Sequence, residues 1–214
     1  MMIRTRTALC VLACGAGMLA PAWAQSVGAP ARSASAAAPS AAAGLAPTAQ
    51  VGGQPLKLNG KGVRYRALAK VYEIGLYASA RVSSLEQFLA APGAKRFQLV
   101  TLRELSGDAL GVAMVQGMQD NAPAAERAKL INQMTLLSKV FADEPKVAPG
   151  STLTIDLLPG RGAVLTLNGR QMVEPIADPL FFPAAARIWL GPRPVDFILK
   201  DALLGIESKK PEAG

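Results

Sequence analysis

The chain contains no histidine, and its two cysteines, Cys10 and Cys14, both lie close to the N-terminus. Without histidine a Ser-His-Asp triad has no base, and a zinc site lacks its commonest nitrogen and sulfur ligands. A chain without thiols beyond Cys14 forms no disulfide and has no cysteine nucleophile, which suits an oxidising compartment. The sequence therefore implies no metal and no conventional redox cofactor.

Aromatic residues are scarce, at 5% of 214 residues, and the formal net charge of +8 comes from basic residues that are scattered along the chain. A positive charge can favour nucleic acid or an anionic membrane when it is concentrated in a patch or a run. The sequence has no long basic run. We interpret the charge as a solvated surface and expect no nucleic-acid partner.

A long apolar run is also missing. The apolar stretch at residues 8–20 is shorter than the roughly 20 residues that span a bilayer, so we expect no membrane span. It follows Arg4 and Arg6 and precedes a small-x-small site ending at Ala24, which is the order of a secretory signal. We expect a signal peptide over residues 1–24, cleaved after Ala24, and a periplasmic or secreted protein.

A lipid anchor is the alternative for this N-terminal segment, with Val11–Gly15 as a lipoprotein box and Cys14 as the lipidated residue. Residues 25–50 are almost entirely Ala, Pro, Ser and Gly. Such a segment has too little large apolar surface to offset the entropy lost on ordering, which predicts a disordered linker. We place one folded domain at residues 51–206 and a disordered tail at 207–214.

Alternating apolar residues predict strands from residue 55 onward. Leu56 and Leu58 alternate with Lys57 up to Asn59-Gly60, a dipeptide typical of tight turns, which predicts a hairpin there. Bulky β-forming residues and apolar runs predict further strands, at residues 70–79, 97–102, 151–158, 163–167 and 171–173.

Helical periodicity separates these strands. Apolar residues at three- and four-residue spacings predict helices over 106–120 and 123–141, and Ser83–Glu86 has the pattern of a capping box. Asp178, followed by proline, predicts the start of a helix that ends near Gly191, and the last helix has a predicted Asp196–Lys200 pair. The order of strands, helices, strands and helices predicts an α+β fold, an antiparallel sheet covered by helices.

Two segments resemble the bacterial chalcone isomerase-like family. They are the apolar helix, Gly-Pro-x-Pro break and second helix from Phe181 to Gly205, and the stretch LNGKGVRYRALAKVYEIGLYAS from Leu58 to Ser79. The resemblance covers residues 51–206. It implies an open-faced β-sandwich, in which helices are layered on one face of a large sheet with a ligand cleft between them.

The resemblance also assigns candidate site residues. Arg64 matches the arginine that follows a glycine-rich hairpin in the plant enzymes, which close chalcones to flavanones. Tyr72 stands where those enzymes carry a threonine, Leu110 falls near their active-site tyrosine, and Ile188, beside Trp189, falls near the hydroxyl residue of the C-terminal helix. This site keeps its cation and loses most of its hydroxyl groups.

A site with one cation and few donors favours binding over catalysis. An oxyanion formed during ring closure needs several placed donors, and losing one costs ~100-fold in rate, whereas a guanidinium alone can grip a carboxylate. The resemblance to fatty-acid-binding relatives implies a non-catalytic binder of a small anionic amphipathic ligand, with Arg64 and either Tyr72 or Tyr65 on its carboxylate. We expect an open apolar pocket with Arg64 on its wall.

Two alternatives stay open. The first is an intramolecular lyase or isomerase of the chalcone isomerase type, in which Arg64 supplies charge and Tyr72 the hydroxyl. The second is an envelope scaffold or partner-binding protein. In that case bulky side chains simply fill the cleft, namely Trp189, Phe181, Phe182 and Leu110.

Overall fold

A computed structural model describes residues 44–206, and its centre is an antiparallel sheet of seven strands. In spatial order the strands are β1 (Thr48–Val51), β2 (Gln54–Arg66), β3 (Ala69–Ala78), β4 (Lys95–Thr101), β7 (Thr152–Leu158), β8 (Gly162–Leu167) and β9 (Arg170–Gln171). Two short strands, β5 (Leu105–Ser106) and β6 (Lys146–Val147), pair with each other separately.

Helices cover one face of this sheet. They are α1 (Leu85–Ala90), α2 (Gly107–Asn121), α3 (Ala124–Arg127), α4 (Ile131–Ala142), α5 (Phe181–Leu190) and α6 (Phe197–Leu204). Each of α1, α2, α4, α5 and α6 contributes fully buried side chains to one apolar core, which they share with the inner face of the sheet. The predicted α+β fold, an antiparallel sheet with helices layered on it, is confirmed.

The predicted signal peptide, the lipidation site at Cys14 and the tail at 207–214 lie outside the described residues. Strand β1 begins at Thr48, within the stretch predicted as linker, so the folded part starts before the predicted boundary at residue 51. Between residues 44 and 206, no helix has both the length and the apolar character needed to cross a membrane. The same range contains no group of three or more His, Cys, Asp or Glu side chains placed to hold a metal ion.

Strand β3 separates two apolar clusters, because alternate side chains of a strand point to opposite faces. Tyr72, Ile74 and Leu76 enter the main core under the helices. Tyr77 points the other way and packs with Val51, Leu56 and Ala94 in a smaller cluster on the outer face. The two tyrosines therefore occupy opposite faces of the sheet.

The Tyr77 phenol should make stability depend on pH. Its hydroxyl donates to the carbonyl of Ala46 at 2.9 Å, and burial raises the pKa of Tyr77 to about 12 from an ordinary value of 10.0. The unfolded chain ionises first, so this stabilisation is complete below pH ~10 and is lost as the pH rises toward 12. We expect urea unfolding to show a pH-dependent loss of stability that is ~2 kcal/mol smaller in Tyr77→Phe, in which the raised pKa of the Tyr72 phenol still contributes. The same pH slope in both proteins would contradict this assignment.

The predicted turn at Asn59-Gly60 is wrong, because both residues lie inside the long strand β2. The register against β3 shifts between Leu58 and Gly60, as at a β-bulge. The bulge reverses which face the even-numbered residues occupy: Leu58 lies opposite the outward Tyr77, whereas Gly60 lies opposite the inward Leu76. The chain turns instead at residues 67–68.

Two helices begin later in the chain than the sequence predicted. Helix α1 is capped by Ser84, whose Oγ accepts from the backbone N–H of Gln87 at 3.2 Å, one residue later than the predicted box. Asp178 accepts from the N–H of Leu180, but α5 begins only at Phe181, so Asp178 closes the turn before the helix and does not cap it. Ser106 caps α2, at the residue where the predicted helix begins.

Candidate functional site

A pair of glycines lets the last helix lie directly on strand β2. An added Cβ at Gly60 would stand 2.2 Å from the carbonyl oxygen of Ala202, and one at Gly62 would stand 2.7 Å from Cδ1 of Leu199. Both glycines point inward after the bulge, toward α6. Because side chains alternate along a strand, the next inward position is Arg64, which meets the start of α6.

Arg64 forms an ion pair with the residue that caps this helix. Its Nη1 lies 3.2 Å from Oδ2 of Asp196 and also donates to the carbonyl of Tyr65. The other carboxylate oxygen of Asp196 accepts from the N–H of Leu199 at 3.1 Å, which caps α6. Both described hydrogen bonds of Arg64 use Nη1, and its side chain is 27% exposed, so part of the guanidinium faces solvent.

The Asp196–Lys200 pair predicted from spacing does not form. Lys200 donates from Nζ to the carbonyl of Gly191 at 2.9 Å, which ties α6 to the end of α5. Asp196 has Arg64 as its partner instead, because the glycines bring α6 close to β2. The prediction considered only partners within one helix and therefore missed Asp196 as a member of the site.

Tyr72 lies directly across the β2–β3 pair from Arg64 and on the same face. It is buried, and its hydroxyl accepts from the indole Nε1 of Trp189 at 3.0 Å. Burial raises the pKa of Tyr72 above its ordinary value, an effect that the bond from Trp189 and the charge of Arg64 partly offset. Tyr72 thus stays a neutral phenol at any ordinary pH, suited to hydrogen bonding and not to proton transfer.

Helix α5 places Trp189 and Ile188 in the site by packing. The indole lies against Phe97 of β4, with ring centroids 5.0 Å apart. Ile188 is buried against α2, where Gly117 leaves room for it, and its carbonyl accepts from the N–H of Val195 at 2.9 Å. That bond fixes the segment that leads to Asp196, the residue that caps α6.

The structure brings some of the predicted site residues together and leaves one in a packing role. Arg64, Tyr72 and Trp189 form a connected group, to which Asp196 must be added. Leu110 is half-buried on α2 and packs against the main core. Tyr65, the second candidate phenol, is exposed beside Arg64.

The prediction of an open apolar pocket at Arg64 is wrong, because the side chains predicted to line it pack against one another in the core. The side chains that would line it are nearly fully buried, with Trp189 and Ile188 each 2% exposed and Phe182 1% exposed. A surface cavity of about 480 Å³ lies elsewhere, between the end of α2 and the start of α4, and includes Arg127 and Arg193. The apolar tail of a ligand bound at Arg64 would therefore lie either in space opened by a movement of α6 or on the protein surface beside Arg64.

Comparison with known proteins agrees with this architecture. The chalcone isomerase-like family matches residues 37–205, most of the chain, and the chain belongs to that family. Among solved structures, it is similar to a fatty-acid binding protein of Arabidopsis thaliana, with a TM-score of 0.54 and 15% identity over 73% of this chain and 95% of that one. Similarity at this identity shows a shared fold. No curated protein sequence matches the chain.

Proposed function

We propose that the protein is an exported, non-catalytic member of the family that binds a small anionic amphipathic ligand, of the fatty-acid type, at Arg64. The observation that carries the proposal is the partly exposed guanidinium, which lies at the edge of the apolar core, on the same strand-pair face as Tyr72, and already holds one carboxylate. The fatty-acid binding function named for the Arabidopsis relative supports it. Export rests on residues 1–24 and is tested by finding Gln25 at the mature N-terminus.

Asp196 shows how a ligand carboxylate would be held. It is a carboxylate on Nη1 of Arg64, and a bound ligand would either replace it there or take Nη2 and Nε in a bidentate grip. The apolar surface next to this point is provided by Phe197 and Ile198, both exposed at the start of α6. The site therefore combines a cation with apolar surface, as an amphipathic acid requires.

The arrangement argues against the isomerase alternative. Stabilising an oxyanion takes several donors aimed at one point, and each is worth about 2.7–4 kcal/mol of barrier. Tyr72 shares its hydroxyl with Trp189 and lies inside the core, so it is placed to support Arg64 and not to exchange protons with a substrate. Arg64 and Tyr72 are binding residues in this proposal, and neither is catalytic.

Substitution of Arg64 should separate ligand binding from folding. We expect Arg64→Ala to weaken laurate binding ~30-fold, the equivalent of ~2 kcal/mol, because the charge-assisted bond is lost. Asp196→Asn should strengthen binding ~5-fold, since asparagine still caps the helix but no longer competes for the guanidinium. Isothermal titration calorimetry measures both, with the exposed Arg66→Ala as the matched control. Unchanged affinity in Arg64→Ala would remove Arg64 from the site.

A scaffold function is the second candidate, and the close packing of Trp189, Ile188 and Phe182 favours it. A protein with this function needs no ligand in its core and presents its surface to a partner. Ligands that bind the folded state raise its melting temperature. If neither laurate nor other medium-chain carboxylates produce heat or raise the melting temperature, the scaffold function replaces the binding proposal.

A further inference from the structure

Five large apolar side chains are exposed at one end of the sheet, and we call them the tip patch: Tyr65, Leu68, Leu102, Phe197 and Ile198. Leu68 is 97% exposed and Ile198 is 74% exposed. Most isolated exposed apolar residues need no explanation, but a contiguous group marks an interaction surface.

The topology explains why these residues meet. Strand β2 ends and β3 begins at the turn that carries Leu68, and Tyr65 lies opposite Lys70 beside it. Strand β4 ends at the same edge, where the N–H of Leu102 donates to the carbonyl of Val71 at 3.0 Å. The Arg64–Asp196 ion pair brings the start of α6, with Phe197 and Ile198, to this end of the sheet.

The turn at the centre of the tip patch contains a residue in an unfavourable backbone conformation. Ala67 has φ of 53°, in the left-handed region, where glycine or asparagine is usual and alanine costs ~1 kcal/mol. The next residue, Leu68, points almost wholly into solvent. A strained residue followed by an exposed leucine is unfavourable for folding alone, and such departures from local preference concentrate at functional sites.

Cations surround the apolar residues. Arg66, Lys70 and Arg103 are exposed next to members of the tip patch, and within residues 44–206 none of them forms an ion pair. The nearby carboxylate of Glu104 is paired with Lys146. The end of the sheet therefore combines exposed apolar side chains with uncompensated positive charge.

We propose that the tip patch docks the protein on an anionic lipid surface. Interfacial proteins insert aromatic and aliphatic side chains at the headgroup level, while lysine and arginine pair with anionic headgroups. Leu68, Phe197 and Ile198 supply the inserted groups, and Arg66, Lys70 and Arg103 the charge. Docking does not depend on the proposed function, although it would place Arg64 at the membrane surface, where amphipathic acids partition.

Vesicle flotation tests the docking proposal. The purified protein should float with vesicles of phosphatidylcholine mixed with phosphatidylglycerol and bind phosphatidylcholine alone far more weakly. Leu68→Ser should reduce binding to the mixed vesicles ~10-fold, because one buried leucine is lost. The double variant Arg66→Ala with Lys70→Ala should reduce it ~30-fold. The control is Val112→Ser, which removes an exposed apolar residue from α2, outside the tip patch.

The outcomes separate docking from ligand binding. Leu68→Ser should keep the laurate affinity of the natural protein in vesicle-free buffer, so that either property can fail without the other. Absence of flotation, or an equal loss in Val112→Ser, overturns the docking proposal. If flotation is absent and size-exclusion chromatography shows a dimer that Leu68→Ser dissociates, the tip patch is an interface between two copies and docking is overturned as well.

Discussion

Asn59→Leu is expected to lower the free energy of unfolding by ~4 kcal/mol, although the two side chains are close in volume. Asn59 is buried and joins two distant segments to β2. Its Nδ2 donates to the carbonyls of Val82 at 2.9 Å and Leu203 at 2.8 Å, and its Oδ1 accepts from the N–H of Val82 at 2.8 Å. Leucine leaves these backbone groups without partners, and each such buried group costs ~1–3 kcal/mol.

Urea unfolding followed by circular dichroism measures this loss. Asn59→Asp should also be destabilised, because aspartate still accepts from Val82 but places a buried carboxylate oxygen against the carbonyls of Val82 and Leu203. The exposed Asn132→Leu on α4 is the matched control and should change stability by less than ~0.5 kcal/mol. A stability of Asn59→Leu within that margin would show that the three hydrogen bonds contribute little.

The role of Asn59 also shows the limit of sequence reasoning about the fold. Periodicity predicted most of the longer strands, most of the helices and the α+β class, because those depend on neighbouring residues. Asn-Gly has a strong local preference for a hairpin turn, but here it pairs with β3, and Asn59 bonds to the distant partners Val82 and Leu203. Ala67 turns the chain instead, against its own preference.

Gly60→Ala is expected to cost at least ~3 kcal/mol, although alanine suits a strand better than glycine does. Its Cβ would lie 2.2 Å from the carbonyl oxygen of Ala202 and 2.5 Å from that of Leu203. These are backbone atoms of α6, so the whole helix would have to lift. Gly62→Ala is the matched comparison, because its Cβ meets Cδ1 of Leu199, which can rotate away.

Thermal and urea unfolding of the two alanine variants measure the difference. We expect Gly62→Ala to be destabilised by ~1 kcal/mol and Gly60→Ala by several times as much. If Gly62→Ala is the less stable of the two, the close approach of α6 to Gly60 is not the constraint on this strand.

The site was only partly predictable for the same reason. The family resemblance located Arg64 and Tyr72, but no local pattern indicated the Trp189–Tyr72 bond or the Arg64–Asp196 pair. Both join segments more than a hundred residues apart in the chain. The alternation of Gly60, Gly62 and Arg64 was the available signal, since two small residues at inward positions indicate that a helix packs there.

The position of α6 in the chain also determines when folding can be completed. Asn59 bonds to Leu203, 144 residues further along the chain, so the inner face of β2 has no cover until that distant segment has been synthesised. Chains that depend on such distant contacts fold slowly and expose unfinished surfaces meanwhile. The positions that α6 covers include Gly60 and Gly62, which have no side chains. This part of β2 therefore offers few side chains for an incorrect partner to bind before α6 covers it.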